Sequence, residues 1–295
     1  LEKEITSELG NISAVIVVPG PWTAKDLAYQ GESIAGMVAN NASFNCNAAK
    51  LLVQPSGWSP SGRLLREVER SLAQTPTRLA YYPGAQERFQ RFTSDRPFLR
   101  EIGVPGQGEM PWAVIAHLNP DNPGEPLFRN EPWCSVLGET QIGTDDPVSF
   151  LARAVPFVNE RVWGSLNVAL LVHPKTARDP VVAEALEQAI EDLRYGTVGV
   201  NLWPAAGFTL AVTPWGAHPS STLADIQSGR GWSGNTLMLE GIEKSVVRAP
   251  FHMQPKPVWF PTHRTAGTLG KRVTFLERYA SWSKLPAVVW SALRG

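Results

Sequence analysis

The sequence predicts an α/β fold, a mainly parallel sheet flanked by helices. Short β-branched apolar runs alternate with amphipathic stretches in both halves of the chain. The amphipathic stretches open on capping residues or on proline, as helices do. Hydrophobic residues make up 43% of 295 residues and charged ones 18%, enough apolar material for a large core and too much for disorder. That length suits two domains or one large one.

Ala14–Val18 is a continuous apolar run ending at Pro19-Gly20, the signature of a buried strand. Thr23 followed three positions later by Asp26 resembles a capping box. The helix it opens carries Ala24, Leu27, Ala28, Gly31, Ile34, Ala35 and Val38 on one face. Lys50–Val53 reads as a second strand, and Ser59-Pro60 as N-cap and first turn of a helix with Leu64, Leu65, Val68 and Leu72 inward. Residues 75–129, rich in Pro and Gly, read as an irregular insertion. Asp145-Asp146-Pro147 opens a helix with Val148, Leu151, Val155 and Val158 inward. Val168–Val172 is a strand, Asp179-Pro180 starts a helix lined by Val182, Leu186, Ala189, Ile190 and Leu193, and Thr197–Asn201 is the next strand. From Arg248 prolines interleave with aromatics, so residues 1–247 read as the domain. Residues 248–295 read as an irregular C-terminal tail that wraps over it or a partner and ends in a helical stretch near Leu269–Leu293.

Lys+Arg and Asp+Glu both total 27, and this zero balance argues against a nucleic-acid partner or an electrostatic membrane partner. No apolar run approaches the roughly 20 residues of a membrane span. The N-terminus, charged from its second residue, is no signal peptide, and two cysteines suit a reduced, cytoplasmic compartment. The five histidines form no cluster with metal-ligand spacing, so no metal is expected. Gly229-Arg-Gly231-Trp-Ser-Gly234 matches G-x-G-x-x-G but follows no apolar strand and opens no helix, which makes it a false positive. The eleven tryptophans, Trp203, Trp215 and Trp232 among them, read as core and interface residues.

Two residues carry candidate chemistry. Cys46 lies between a helix and an apolar strand, where nearby backbone amides would lower a thiol pKa and make it a nucleophile. The competing reading is a small buried hydrophobe, the reading favoured for Cys134. Glu8 precedes the first strand and could serve as general base if the fold returns it to Cys46; otherwise it is a solvated acid. His117 is an alternative partner for Cys46 in a cysteine hydrolase, although no Cys–His–Asn pattern accompanies it.

Six ordered segments resemble the aldehyde dehydrogenase superfamily. Glu8-Leu9-Gly10-Asn11 resembles that family's Glu-Leu-Gly-Gly, and Asn45-Cys46 through Val53 the surroundings of its catalytic cysteine. Asn130-Glu131-Pro-Trp133, with Val136-Leu137, resembles Glu-x-Phe-Gly-Pro-Val. Asn159 with Trp163-Gly164 resembles Asn-x-x-x-Tyr-Gly-Leu, Tyr195–Asn201 resembles Gly-x-Val-x-x-Asn, and Pro214-Trp215-Gly216 with Ser228-Gly229 resembles Pro-Phe-Gly-Gly and its Ser-Gly.

The resemblance implies the catalytic half of an enzyme that oxidises an aldehyde to an acid with NAD or NADP. Cys46 would be the nucleophile and Glu8 the general base, while Glu131 would bond the nicotinamide ribose with Trp133 beside it. Cys46 and Glu131 would share a crevice at the carboxyl ends of the strands. Asn11 stands where the family has its second glycine, and the Glu8–Cys46 interval is longer than usual. In the family the dinucleotide-binding domain lies upstream of Glu8, so the resemblance implies a fragment whose missing partner domain holds most of the cofactor, with little dehydrogenase activity alone. A homo-oligomer is left open. The alternative is a non-catalytic scaffold of the same fold.

Overall fold

The computed structural model describes residues 5–234 and 238–295; residues 1–4, on which the signal-peptide reading rests in part, lie outside the described residues. Eight strands build the main sheet: β1 (Ser13–Val17), β2 (Ala49–Pro55), β3 (Leu99–Ile102), β4 (Trp112–Leu118), β5 (Val136–Ile142), β6 (Asn167–Leu171), β7 (Thr197–Val200) and β8 (Ser245–Arg248). Their order across the sheet is β8-β7-β6-β1-β2-β5-β4-β3. All neighbours are parallel except β3, which closes one edge antiparallel to β4. The four strands expected from the sequence are the contiguous centre, β7-β6-β1-β2.

Both sheet faces are covered, which is why these strands read as continuous apolar runs rather than alternating ones. On one face α1 (Ala24–Ala39) and α2 (Ser61–Ala73) pack over Val15, Val17, Leu52, Ala169 and Leu171. On the other, α3 (Ala85–Thr93), α4 (Pro147–Arg161) and α5 (Pro180–Asp192) cover Ala14, Ile16, Leu51, Val168 and Leu170. The caps explain where several helices begin. Thr23 and Asp26 form the expected capping box on α1, and Asp146 and Asp179 accept from the first-turn amides of α4 and α5. After β8 the chain returns to α1, where Gln30 donates to the Phe251 carbonyl at 2.6 Å and the Tyr29 hydroxyl accepts from the Met253 amide at 2.8 Å. It ends in two helices, α6 (Ala266–Tyr279) and α7 (Leu285–Leu293), as the sequence anticipates.

Three expectations are corrected. Residues 75–129 are not an irregular insertion, for they contain α3, β3 and the internal strand β4. Trp112–Ile115 is an ordinary buried strand run; the Gly- and Pro-rich turn before it hides the signal. Ser59-Pro60 does not cap α2, which starts at Ser61 with no side-chain cap. Ala24, the first residue of α1, lies in its solvent-facing first turn and is exposed.

Leu170 is fully buried at the sheet centre, whereas Val246 is 39% exposed on the edge strand. Leu170→Ala is expected to cost about 2–5 kcal/mol in urea denaturation. Val246→Ala should cost less than about 1 kcal/mol. Similar costs at the two positions would contradict this placement of the core.

Candidate active site

A parallel sheet offers loops at two edges, and the sequence-derived site residues all precede strands. Glu8 leads into β1, Cys46 into β2 and Glu131 into β5. The site therefore lies at the amino ends of the strands, not at the carboxyl ends expected for open α/β sheets.

Chain direction and local chemistry position Cys46. Between α1 and β2, Asn41, Ala42 and Ser43 all take left-handed backbone conformations, with φ of 50°, 54° and 68°. For non-glycine residues this costs roughly 1–2 kcal/mol each, so the turn must be held from outside. Lys50 holds it: its fully buried ammonium donates to the Ser43 carbonyl at 2.6 Å, the Ser43 hydroxyl at 2.7 Å and the Cys134 carbonyl at 3.3 Å. Neighbouring strands and loops hold the backbone of Cys46 and Asn47. Ser13 Oγ and Asn167 Nδ2 donate to the Cys46 carbonyl at 2.9 and 3.2 Å, and Trp203 Nε1 donates to the Asn47 carbonyl at 2.7 Å.

The Cys46 thiol donates to Glu8 Oε1 at 3.0 Å, and the other Glu8 oxygen accepts from Trp215 Nε1 at 2.8 Å. The longer Glu8–Cys46 interval thus still closes to hydrogen-bonding distance. Glu8 is held by a short antiparallel pairing of Ser7–Glu8 with Gly229–Arg230, so the Gly-rich match at 229–234 builds a strand pair and no nucleotide loop. Asn11 also has a structural job. Fully buried, it donates to Ser13 Oγ at 3.0 Å and to the Asn167 carbonyl at 2.9 Å, and accepts from the Leu166 amide at 3.3 Å.

The electrostatics reverse one expectation. Burial, then the hydrogen bond and charge of Glu8 and the charge of Glu131, push the Cys46 thiol well above its usual range, although its own backbone N–H opposes this. The sulfur is a thiol awaiting a base, not a preformed thiolate. Burial likewise pushes the Glu131 carboxyl up, against the pull of Lys50, the Asn11 backbone N–H and Arg88. It pulls the Lys50 ammonium down, against the charge of Glu131.

Glu131 and Cys46 thus share one electrostatic neighbourhood, which also contains Lys50 and Arg88. Gly10 leaves room for Glu131; a Cβ there would fall 2.1 Å from Glu131 Oε2. Glu131 Oε1 and Trp133 Nε1 are both buried without a hydrogen-bond partner. An unpaired acceptor and an unpaired donor two residues apart fit the hydroxyl-rich ribose end of a nicotinamide nucleotide. Trp133 stands edge-on to Tyr82 at 5.5 Å, and Tyr82 stacks on Phe44 at 5.7 Å.

His117 is not part of this site. It sits on β4, two strands from β2 and thus roughly 10 Å to the side. Its backbone amide bonds Glu139, whose register partner on β2 is Leu52, several residues beyond Cys46. Cys134 is fully buried, as expected of a core cysteine. The described residues hold no group of three or more His, Cys, Asp or Glu able to bind a metal, and no helix among them is long and apolar enough to cross a membrane. Sequence reasoning missed Lys50, Trp215, Ser13 and Asn167. Lys50 left a signal, a lone cation near the start of an apolar strand, and Trp215 lies in one of the six segments that carry the resemblance.

The sequence matches no family model and no curated protein. Solved structures do match in fold. An NADP-dependent glyceraldehyde-3-phosphate dehydrogenase from Bacillus halodurans, complexed with NADP, is 16% identical with a TM-score of 0.60 over 78% of this chain and 44% of that one. An NAD-dependent aldehyde dehydrogenase from Sinorhizobium meliloti is 18% identical with a TM-score of 0.57 over 78% and 42%. An aldehyde dehydrogenase from Pseudomonas aeruginosa is 18% identical with a TM-score of 0.60 over 80% and 45%. The chain therefore has an aldehyde-dehydrogenase-like fold and spans less than half the length of these enzymes.

Lys50→Met removes the donors to two buried carbonyls and one of the two cations near Glu131. It should cost about 3 kcal/mol in chemical denaturation. Adding Glu131→Gln should recover part of the loss; a double variant no better than the single would separate the two residues energetically.

Proposed function

We propose that this chain carries the nucleophile and base of a thiol-dependent aldehyde oxidation. The reading rests above all on one observation, the 3.0 Å hydrogen bond from the Cys46 thiol to Glu8. Proton transfer to Glu8 Oε1 frees the sulfur to attack an aldehyde carbon, with the π electrons moving to oxygen as a thiohemiacetal forms. The Cys46 backbone N–H, which favours the thiolate, would be a donor for that oxyanion. NAD or NADP, when bound, supplies the acceptor for the hydride that leaves the carbon. Glu131 Oε1 would hold a ribose hydroxyl, with Trp133 beside it. Once that first proton has passed to solvent, Glu8 would draw one from water, which attacks the thioester; collapse expels the Cys46 sulfur, which takes the proton back from Glu8, and leaves the carboxylic acid as product. Trp215 keeps Glu8 oriented through both proton transfers.

One observation favours a second reading, a scaffold without activity: the thiol is held protonated. Two measurements on the purified chain separate the readings. Glu8→Gln removes the carboxylate that opposes ionisation, so alkylation of Cys46 by iodoacetamide should speed up at mildly alkaline pH. Hydrolysis of an activated ester through Cys46 should still fall about 100-fold or more in the same variant, because no base then takes the proton of the water that releases the acyl group from the sulfur. Ester hydrolysis insensitive to Glu8→Gln would remove Glu8 as base. A wild-type Cys46 inert to both reagents across the pH range would establish the scaffold.

A further inference from the structure

The net charge of zero conceals a sharp separation. Residues 249–295 hold seven of the chain's 27 Lys and Arg but only one of its 27 Asp and Glu, Glu277. The extension is thus formally +6 and the remainder −6. Its last two helices are also turned inside out. Among the residues of α6 none is buried, and in α7, Leu-Pro-Ala-Val-Val-Trp-Ser-Ala-Leu, the single buried residue is the polar Ser291. The apolar side chains face outward: Trp282 at the turn is 85% exposed, Leu293 64%, Trp290 59% and Phe275 56%, with Tyr279 and Val289 alongside.

Cations sit directly on these rings. Lys284 Nζ lies 4.1 Å from the Tyr279 ring centroid, Arg278 lies 5.0 Å from the same ring, and Arg294 lies 5.5 Å from Trp290. The polar groups instead turn inward and tie the helices together, Arg272 donating to the Ala287 carbonyl at 2.7 Å and Thr265 to the Ser291 carbonyl at 2.6 Å.

We infer that the α6–α7 hairpin docks on an anionic lipid bilayer surface, its Trp282 turn and the apolar face of α7 entering the interface and its cations meeting the headgroups. Apolar and aromatic residues outward with Lys and Arg beside them are the composition of an interfacial anchor. Neither helix has the length to span a bilayer. A second copy is the rival occupant, and charge argues against it. Residues 266–295 hold five Lys and Arg and one Glu, so two such hairpins face to face would oppose +4 with +4, whereas a hairpin on the acidic body of another copy is a head-to-tail contact that need not close. The aliphatic Leu285, Val289 and Leu293 likewise suit acyl chains better than nucleic-acid phosphates.

The test is flotation of the full chain with phosphatidylcholine vesicles, with and without phosphatidylserine. Binding should require phosphatidylserine and weaken as salt is raised. Arg278→Glu with Lys284→Glu, and separately Trp282→Ser with Trp290→Ser, should each reduce binding at least about tenfold. Arg278, Trp282 and Trp290 are exposed and Lys284 is half-buried, so circular dichroism should stay unchanged and thermal melting should shift by only a small amount. No binding to phosphatidylserine vesicles, or binding unaffected by either pair, overturns the proposal. So does concentration-dependent self-association in sedimentation equilibrium that the tryptophan pair abolishes, which would assign the face to a second copy.

Discussion

The site depends on one buried ammonium. Lys50 opens the second strand with no solvent exposure, and its bonds to Ser43 and Cys134 close a turn whose backbone would not hold that shape alone. A side chain reaching back from the strand fixes the turn relative to the sheet, and Cys46 comes three residues later. The same charge governs ionisation nearby. It favours anionic forms at Glu131, Cys46 and Cys134, yet burial and the two carboxylates outweigh it at Cys46. The balance leaves a neutral thiol hydrogen-bonded to Glu8, a form of the sulfur less open to oxidation than a thiolate.

Location at the amino ends has its origin in the same economy of elements. Each parallel strand begins where a helix or loop returns across the sheet, so residues just before β1, β2, β5 and β6 meet along one edge although they are far apart in sequence. Asn11 joins two of these starts through the Asn167 carbonyl, and Asn167 joins a third through the Cys46 carbonyl. Gly10 and Gly164 matter because the approaches are close: a Cβ at Gly164 would fall 2.3 Å from Asn11 Oδ1. Asn11, where the resemblance expects a glycine, carries a side-chain amide that joins these strand starts.

The features legible in the sequence were local or strongly periodic. The central strands announced themselves by continuous β-branched runs, and α1, α4 and α5 by Thr23, Asp146 and Asp179. The resemblance put Glu8, Cys46 and Glu131 into one order, and the fold brings them together. Three kinds of information stayed hidden. Strand β4 was masked by the turn chemistry beside it. The thiol's ionisation depends on burial and on a carboxylate 38 positions away, which no local window contains. Trp215 looked like any core tryptophan, because its indole ring is indeed buried and only the direction of its N–H makes it a partner of Glu8.

A summed composition hides how charge is distributed along a chain. A zero sum excludes an electrostatic partner only if charge is evenly mixed, and here 47 residues carry the excess that the other 248 cancel. Attraction between body and extension explains part of the arrangement, since Lys256 approaches Glu32 of α1 at 3.8 Å. It does not explain the rest. Arg264, Lys271 and Arg278 make no ion pair with an acidic side chain among the described residues, so their charge is projected into solvent rather than spent on the body. Aqueous surfaces commonly expose single apolar residues, but a helix that buries its serine and exposes Leu, Val and Trp runs against the hydrophobic effect along its whole length. Such a face costs stability in water, and its positive, aromatic character is what the proposed docking on an anionic bilayer rests on.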